Sequence, residues 1–194
     1  MNDGGSSNTP SLRLAGIGVS AGYAIGRAHF IDRQKVKVAH RHLTDGEVEN
    51  EIRRFRTAIA TSERQIGSLK TQLKSAGEEH YLILEAHQMM MRADALLEGT
   101  EQLIREQRLN AEWALQKVLR GIKKIFDNID DEYFRARRAD VGFVGDRVLR
   151  NLLGKDEPTL SNVSPNSVIV AHVLSPADAA QLLNSSALGF VTQI

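Results

Sequence analysis

Residues 44–73, TDGEVENEIRRFRTAIATSERQIGSLKTQL, carry one long apolar repeat. Thr44 followed by Glu47 is a capping-box pattern, which predicts that a helix begins here. Beyond it, apolar or small residues recur in alternating steps of four and three, a spacing typical of a long helix with a narrow seam. Such a helix gains most of its stability by burying that stripe, so a second helix is expected against it. The seam positions are Val48, Ile52, Phe55, Ile59, Ser62, Ile66, Leu69 and Leu73.

Further helical patterns follow the seam. Gly77 suits a turn, and a second helical segment begins directly after it. Asp94 and Asn110 are each placed to cap another helix. A last helix is predicted to begin near Asp130 and Asp131, whose charges suit a helix N-terminus, and to end at Gly154. The middle of the chain is therefore predicted to be entirely helical.

The two ends of the chain have strand patterns instead. In residues 12–32, glycines and small residues alternate with apolar ones, which predicts two short strands joined by a glycine-rich turn. Residues 168–171 form a β-branched apolar run, a short helix is predicted to begin at Ser175-Pro176, and residues 187–192 form the next strand pattern. This succession is a βαβ unit, whose two strands should be parallel.

Together these patterns predict an α+β or α/β fold in two subdomains. A small α/β subdomain comprises residues 12–42 and 155–194. Inserted into it is an all-helical subdomain, residues 43–154, made of two antiparallel helical hairpins. Residues 1–11 are polar and predicted to be a disordered tail.

Composition excludes several classes of function. The 25 basic and 24 acidic residues give a formal net charge of +1, so no global field attracts nucleic acid or an anionic membrane. There is no cysteine, which excludes disulfides, thiol nucleophiles and thiolate metal sites. No run approaches the roughly 20 apolar residues of a membrane-spanning helix. We expect a soluble cytoplasmic protein.

The glycines and most histidines favour structural roles. Gly16, Gly18 and Gly22 resemble a phosphate-binding loop, but such a loop must open a helix, and a strand pattern follows here. His40 and His42 flank an arginine without further ligands at a spacing that a metal would require. The residues alone therefore predict neither a dinucleotide site nor a metal site.

The segment EEHYLILEAHQMMMRADALLEG, residues 78–99, is more informative. Leu82 to Leu84 are consecutive apolar residues, and so are Met89 to Met91, which is too many for a single helix face. Methionine is common on adaptable binding surfaces, so a partner-binding face would explain the excess. A helix packed between two neighbours would explain it equally well.

A second candidate surface lies near the start of the last helix. Arg137 follows Tyr133 and Phe134 by about one turn, so a guanidinium and two aromatic rings could share a face that receives a phosphate or a protein. The alternative is a solvated face with ion pairs such as Asp131 to Arg135.

Over residues 12–194 the chain resembles the N-terminal part of Enzyme I, the phosphoenolpyruvate-protein phosphotransferase family of the bacterial sugar phosphotransferase system. The resemblance runs through GIGVSAGYAIGRA, LEAHQMMMRADALL, IDDEYFRARRADVGFVGDRVLRNLLG, VIVAHVLSPADAAQL and LGFVT. It implies that the α/β part is a swivelling phosphohistidine domain, incomplete at its C-terminus, and that the helical part docks the phosphocarrier protein HPr. It also implies a magnesium ion and a homodimer in the full-length enzymes, both through a C-terminal domain.

The same resemblance implies which residues bind HPr. Carried over by local match, one side of the docking surface comes from the second helical segment and the other from the start of the last helix. Two of the implied residues, Glu78 and Glu79, could contact basic groups around the phosphate site of HPr. The implied residues are Glu78, Glu79, Leu82, His87, Met89, Met90, Tyr133, Phe134 and Arg137.

One family feature has no match in this sequence. In the family, the strand corresponding to LGFVT is followed by Gly-Gly-x-Thr-Ser-His, and that histidine is phosphorylated. None of the six histidines here occupies this position, so we expect this chain to bind HPr without transferring phosphate and to have no catalytic residue. Replacing Met89 or Met90 by Ala is predicted to weaken the binding.

Two other functions fit parts of the sequence. The long seam would suit a helical adaptor that associates with itself and has no phosphotransfer role. A nitrogen-type phosphotransfer enzyme, with a different HPr-like acceptor, would share most of the motifs. The first predicts self-association in the absence of HPr.

Overall fold

Within the described residues, five helices follow one another in the chain between two neighbouring strands of a parallel sheet. The computed structural model describes residues 11–31, 36–72, 78–155, 160, 163–183 and 185–193, without the side chains of residues 78–80 and 132–136. In order, the elements are β1 (Arg27–Ile31), α1 (Val48–Gln72), α2 (Glu78–Arg92), α3 (Asp94–Gln107), α4 (Ala111–Asp127), α5 (Glu132–Leu152), β2 (Ser167–Ala171), α6 (Pro176–Leu183) and β3 (Gly189–Thr192).

The predicted capping box precedes α1. The Glu47 carboxylate accepts hydrogen bonds from the backbone N–H and the hydroxyl of Thr44, both at 2.8 Å. These bonds, together with one from Arg41, lower the pKa of Glu47 to about 2. A single turn of 3₁₀ helix, Asp45–Glu47, then leads into α1.

The predicted seam of α1 forms the centre of the helical core. Its middle positions are buried, Phe55 and Ile66 completely. The seam packs against the other helices of the same chain, because α1 contacts α2, α3, α4 and α5. Ser62, the one polar seam residue, donates its hydroxyl to the Ala58 carbonyl at 2.7 Å, so its burial leaves no unpaired donor.

Helices α4 and α5 form the most extensive helix pair. A methyl group at Gly145 of α5 would collide with the Leu119 side chain of α4, so glycine allows this close approach. Gly154 ends α5 with a positive φ of 61°, as its sequence position predicts.

Two local predictions were wrong. Asp94 does not cap α3, since Ala93 is the N-cap and Asp94 lies in the first turn, where its carboxylate still faces the positive end of the helix dipole. The two strands predicted in residues 12–32 reduce to β1, because residues 11–26 form no strand. Those residues are exposed throughout, and no strand in the described part of the chain pairs with them.

The sheet confirms the predicted parallel βαβ unit. The strand order is β1-β2-β3, with Ile169 of β2 opposite His29 of β1 and Phe190 of β3. Ile169 is completely buried in a small apolar cluster of its own.

Helix α6 links the sheet to the helices. Its residues Ala177 and Ala180 belong to the helical core, and α6 contacts α1 and α2. The predicted α+β class, a helical region inserted into a small parallel sheet, is confirmed. The division into subdomains at residues 43 and 155 stays a prediction, and the predicted tail lies outside the described residues except for Ser11. No helix among the described residues is long and apolar enough to cross a membrane.

Candidate functional site

Helix α2 has two apolar stripes on opposite sides. Leu84, His87 and Met91, spaced by three and four, are buried. Leu82 and Met89 are 56% and 68% exposed. At about 100° per residue, positions 82 and 89 point away from positions 84, 87 and 91. The excess of apolar residues in this segment therefore has both of the explanations that the sequence left open, one stripe packed and the other facing solvent.

The inner stripe contacts α5 through a polar group. His87 is only 2% exposed, and its Nε2 lies 3.3 Å from Oδ1 of Asp140. The other oxygen, Oδ2, accepts a hydrogen bond from Nη1 of Arg137 at 3.1 Å. This cluster, His87, Asp140 and Arg137, joins the two segments that the resemblance assigns to one surface. His87 itself lies beneath that surface and not on it.

The negative charge of Asp140 is stabilised by its partners in this cluster. Burial alone would raise the pKa of Asp140, but the hydrogen bonds from His87 and Arg137 and their charges outweigh it and lower the pKa. Asp140 is therefore an anion at neutral pH. Arg137 keeps 31% of its side chain exposed, so the cluster extends from the core to the surface.

The other predicted site residues differ in exposure, and some of their side chains lie outside the described residues. Met90 is partly buried against the helical core, unlike its exposed neighbour Met89. Four more belong to α2 and α5, but their side chains lie outside the described residues. These four are Glu78, Glu79, Tyr133 and Phe134.

Sequence reasoning missed two contributors to this face. Asp140 carried only a weak signal, a carboxylate three residues after Arg137, and nothing local indicated that it meets His87 from another helix. Glu85 lies between Leu82 and Met89 on the outer stripe, 3.6 Å from Nζ of Lys70. That lysine also lies 4.4 Å above the Tyr81 ring. We call Leu82, Glu85, Met89 and Arg137 the α2/α5 face.

Two other histidines surround the single tryptophan. The His40 ring stacks on Trp113 with centroids 4.6 Å apart, and His42 meets the same ring edge-on at 5.1 Å. These contacts attach the segment before α1 to α4. Among the described residues, no group of three or more histidine, aspartate or glutamate side chains is placed to hold a metal ion.

Comparison with known proteins identifies the family. A family model described as the N-terminal part of PEP-utilising enzymes matches residues 15–137. The chain belongs to the PEP-utilising enzyme family. This confirms the resemblance seen in the sequence motifs, and the match includes α2 and the start of α5.

Curated relatives of this chain are phosphotransferases. It is 36% identical to the phosphoenolpyruvate-protein phosphotransferase of Cupriavidus necator and 35% identical to that of Bacillus subtilis. Each match covers 93% of this chain but only 33% and 32% of the relative. The chain thus spans about a third of the length of these relatives.

Solved structures agree with the family. A solution NMR structure of Enzyme I is 34% identical, with a TM-score of 0.78 over 89% of this chain and 70% of that one. The N-terminal domain of a nitrogen-type Enzyme I is 19% identical, with a TM-score of 0.64 over 87% and 69% of the two chains. At that identity the second likeness shows the fold alone.

Proposed function

We propose that this chain is the N-terminal docking region of a phosphoenolpyruvate-protein phosphotransferase and that it binds an HPr-like phosphocarrier through the α2/α5 face. In the whole enzyme, phosphate would pass from phosphoenolpyruvate to a histidine and then to the carrier. For this chain we propose binding without transfer, because none of its six histidines stands in the family's phosphohistidine motif. Magnesium and the homodimer belong to the same proposal for the whole enzyme.

The observation that carries the proposal is the buried contact between His87 and Asp140. It packs α2 against α5, so residues of both helices that reach the surface, including the partly exposed Arg137, belong to one packed unit that a single partner can contact. Leu82 and Met89 provide adaptable apolar area, Glu85 lies between them, and Arg137 adds a charge of the opposite sign from α5. Apolar and charged side chains together are usual in a transient protein interface.

The adaptor function loses its main support. Its argument was the seam of α1, which was expected to pack against another helix. Phe55, Ile59 and Ser62 are buried against helices of the same chain, so the middle of the seam is already occupied. The nitrogen-type acceptor rests on a likeness of fold alone and is not favoured.

Met89→Ala is expected to weaken binding of HPr from the same organism by about 5- to 30-fold, since a well-packed interface anchor contributes about 1–2 kcal/mol. Stability should change little, because Met89 is 68% exposed in the free chain. Isothermal titration calorimetry and thermal unfolding measure the two effects. The matched control is Leu14→Ala, an exposed apolar residue before β1 whose loss should leave the affinity unchanged.

Amide NMR titration of the labelled chain with HPr locates the face directly. The proposal expects shifts concentrated in residues 78–92 and 132–140. A folded sample without shifts at millimolar HPr would contradict it, and so would shifts confined to the sheet. Equal weakening by Met89→Ala and Leu14→Ala would show that α2 is not specifically involved.

A further inference from the structure

We infer that Asp140 is a positioning residue of the α2/α5 face: its carboxylate fixes the Arg137 guanidinium in the orientation that the phosphocarrier contacts. The inference rests on the proposed docking function and adds a residue that makes no contact with the partner. Asp140 is buried, so its effect must be exerted through Arg137.

The two carboxylate oxygens of Asp140 have different partners. Oδ1 faces the buried His87 ring at 3.3 Å, and Oδ2 accepts from Arg137 at 3.1 Å. One oxygen is thus directed at a group in the core and the other at a group that reaches the surface. His87 belongs to α2 while Asp140 and Arg137 belong to α5, so the carboxylate is fixed by a helix other than its own.

The bond between Asp140 and Arg137 differs from an ordinary ion pair on an exposed helix face. Exposed pairs three residues apart contribute little and leave both side chains free to change rotamer. Here the acceptor is held in place by His87 and shielded from water, so its bond restricts Arg137 as well. A long side chain that is ordered before docking loses less rotamer entropy on binding, which favours affinity.

Charge and positioning predict opposite results for Asp140→Asn. The substitution removes a negative charge beside Arg137, which by electrostatics alone would leave a more cationic face and strengthen binding of an anionic group on the carrier. If positioning dominates, as we infer, the affinity for HPr falls by about 5- to 10-fold, the effect of releasing one long side chain.

The test uses four variants of the whole chain, Asp140→Asn, Arg137→Ala, their combination and Glu101→Gln. Glu101 is the matched control, since its side chain is 12% exposed against 10% for Asp140 and it bonds Arg56 at 2.7 Å and Arg105 at 3.0 Å between α1 and α3. We expect Glu101→Gln to lower the melting temperature without changing HPr affinity. We expect Asp140→Asn to weaken binding, and to weaken it no further when Arg137 is already Ala.

Two results would overturn the inference. One is an unchanged or higher affinity in Asp140→Asn, and the other is an additive loss in the double variant, which would mean that Asp140 does not act through Arg137. Failure of the proposed function is distinguishable, because then the unsubstituted chain does not bind HPr. The ¹⁵Nε relaxation of Arg137 in the free chain reports the positioning separately, and loss of its order in Asp140→Asn but not in Glu101→Gln is the expected result.

Discussion

Replacing Arg54 by Ala is expected to lower the free energy of unfolding by about 3–5 kcal/mol, because it leaves buried carboxylates without their cation. Arg54 forms two hydrogen bonds to Glu112, both at 2.7 Å, and two to Glu51, at 2.6 and 3.1 Å. Both glutamates are almost completely buried. Arg54 also donates to the Leu152 carbonyl at the end of α5, at 2.9 Å.

The same carboxylates organise the start of α4. Glu51 accepts from the backbone N–H of Ala111 at 2.7 Å, so a residue of α1 satisfies the first donor of another helix. Asn110, the N-cap, directs its side chain elsewhere: its Nδ2 donates to Glu112 at 2.7 Å and to the Ala39 carbonyl at 3.0 Å. Losing Arg54 is therefore expected to weaken the junction of α1, α4 and α5 together.

The pH dependence of the stability loss in Arg54→Ala shows whether unpaired buried carboxylates cause it. Burial alone would raise the pKa of Glu112, but Arg54 and its other hydrogen bonds lower it. In the unsubstituted chain, the resulting stability is present above the ordinary pKa of a glutamate and is lost as the pH falls through the lowered value. In Arg54→Ala the buried Glu112 carboxylate resists ionisation instead, so the difference in stability between the two chains should shrink from pH 7 to about pH 4.5.

Urea unfolding at the two pH values measures this effect. Arg53→Ala is the matched control, because the neighbouring guanidinium is exposed on the same helix. Equal losses for the two variants at pH 7, or a loss for Arg54→Ala that grows on acidification, would contradict the assignment of Arg54 as the cation of this buried group.

Replacing Phe55 by Ala is expected to cost about 3–5 kcal/mol, the range for a large aromatic deleted from a packed core. Phe55 is completely buried in the centre of the α1 seam, where the surrounding helices cannot all close the cavity. Phe30→Ala is the matched control, since this phenylalanine of β1 is 74% exposed and its loss should change stability by about 0.5 kcal/mol or less. Denaturant unfolding followed by circular dichroism compares them, and similar midpoints would show that the seam is not the core.

The helical half of the fold was predictable because its signals are local. The steps of four and three from Val48 onward, the pair Thr44 and Glu47, and Gly154 each depend on neighbours within one or two turns. The βαβ unit was predictable for the same reason. The strands expected in residues 12–32 were not, because a strand needs a partner, and only β1 has one among the described residues.

The candidate site was predictable only in part. Consecutive apolar residues in α2 implied two faces, but periodicity does not say which stripe meets the core, and His87 faces inward while Met89 faces solvent. Asp140 was missed because its role depends on a contact across 53 residues of sequence.

By itself, the sequence determined the helices, the βαβ unit and the family, since these follow from short-range patterns and motifs. The tertiary structure alone decided which side of α2 is exposed, that Asp140 connects His87 to Arg137, and that Arg54 neutralises glutamates from two helices. The physical reason is that burial and charge pairing depend on which helices and strands pack together, and this packing is determined by contacts between residues far apart in the sequence.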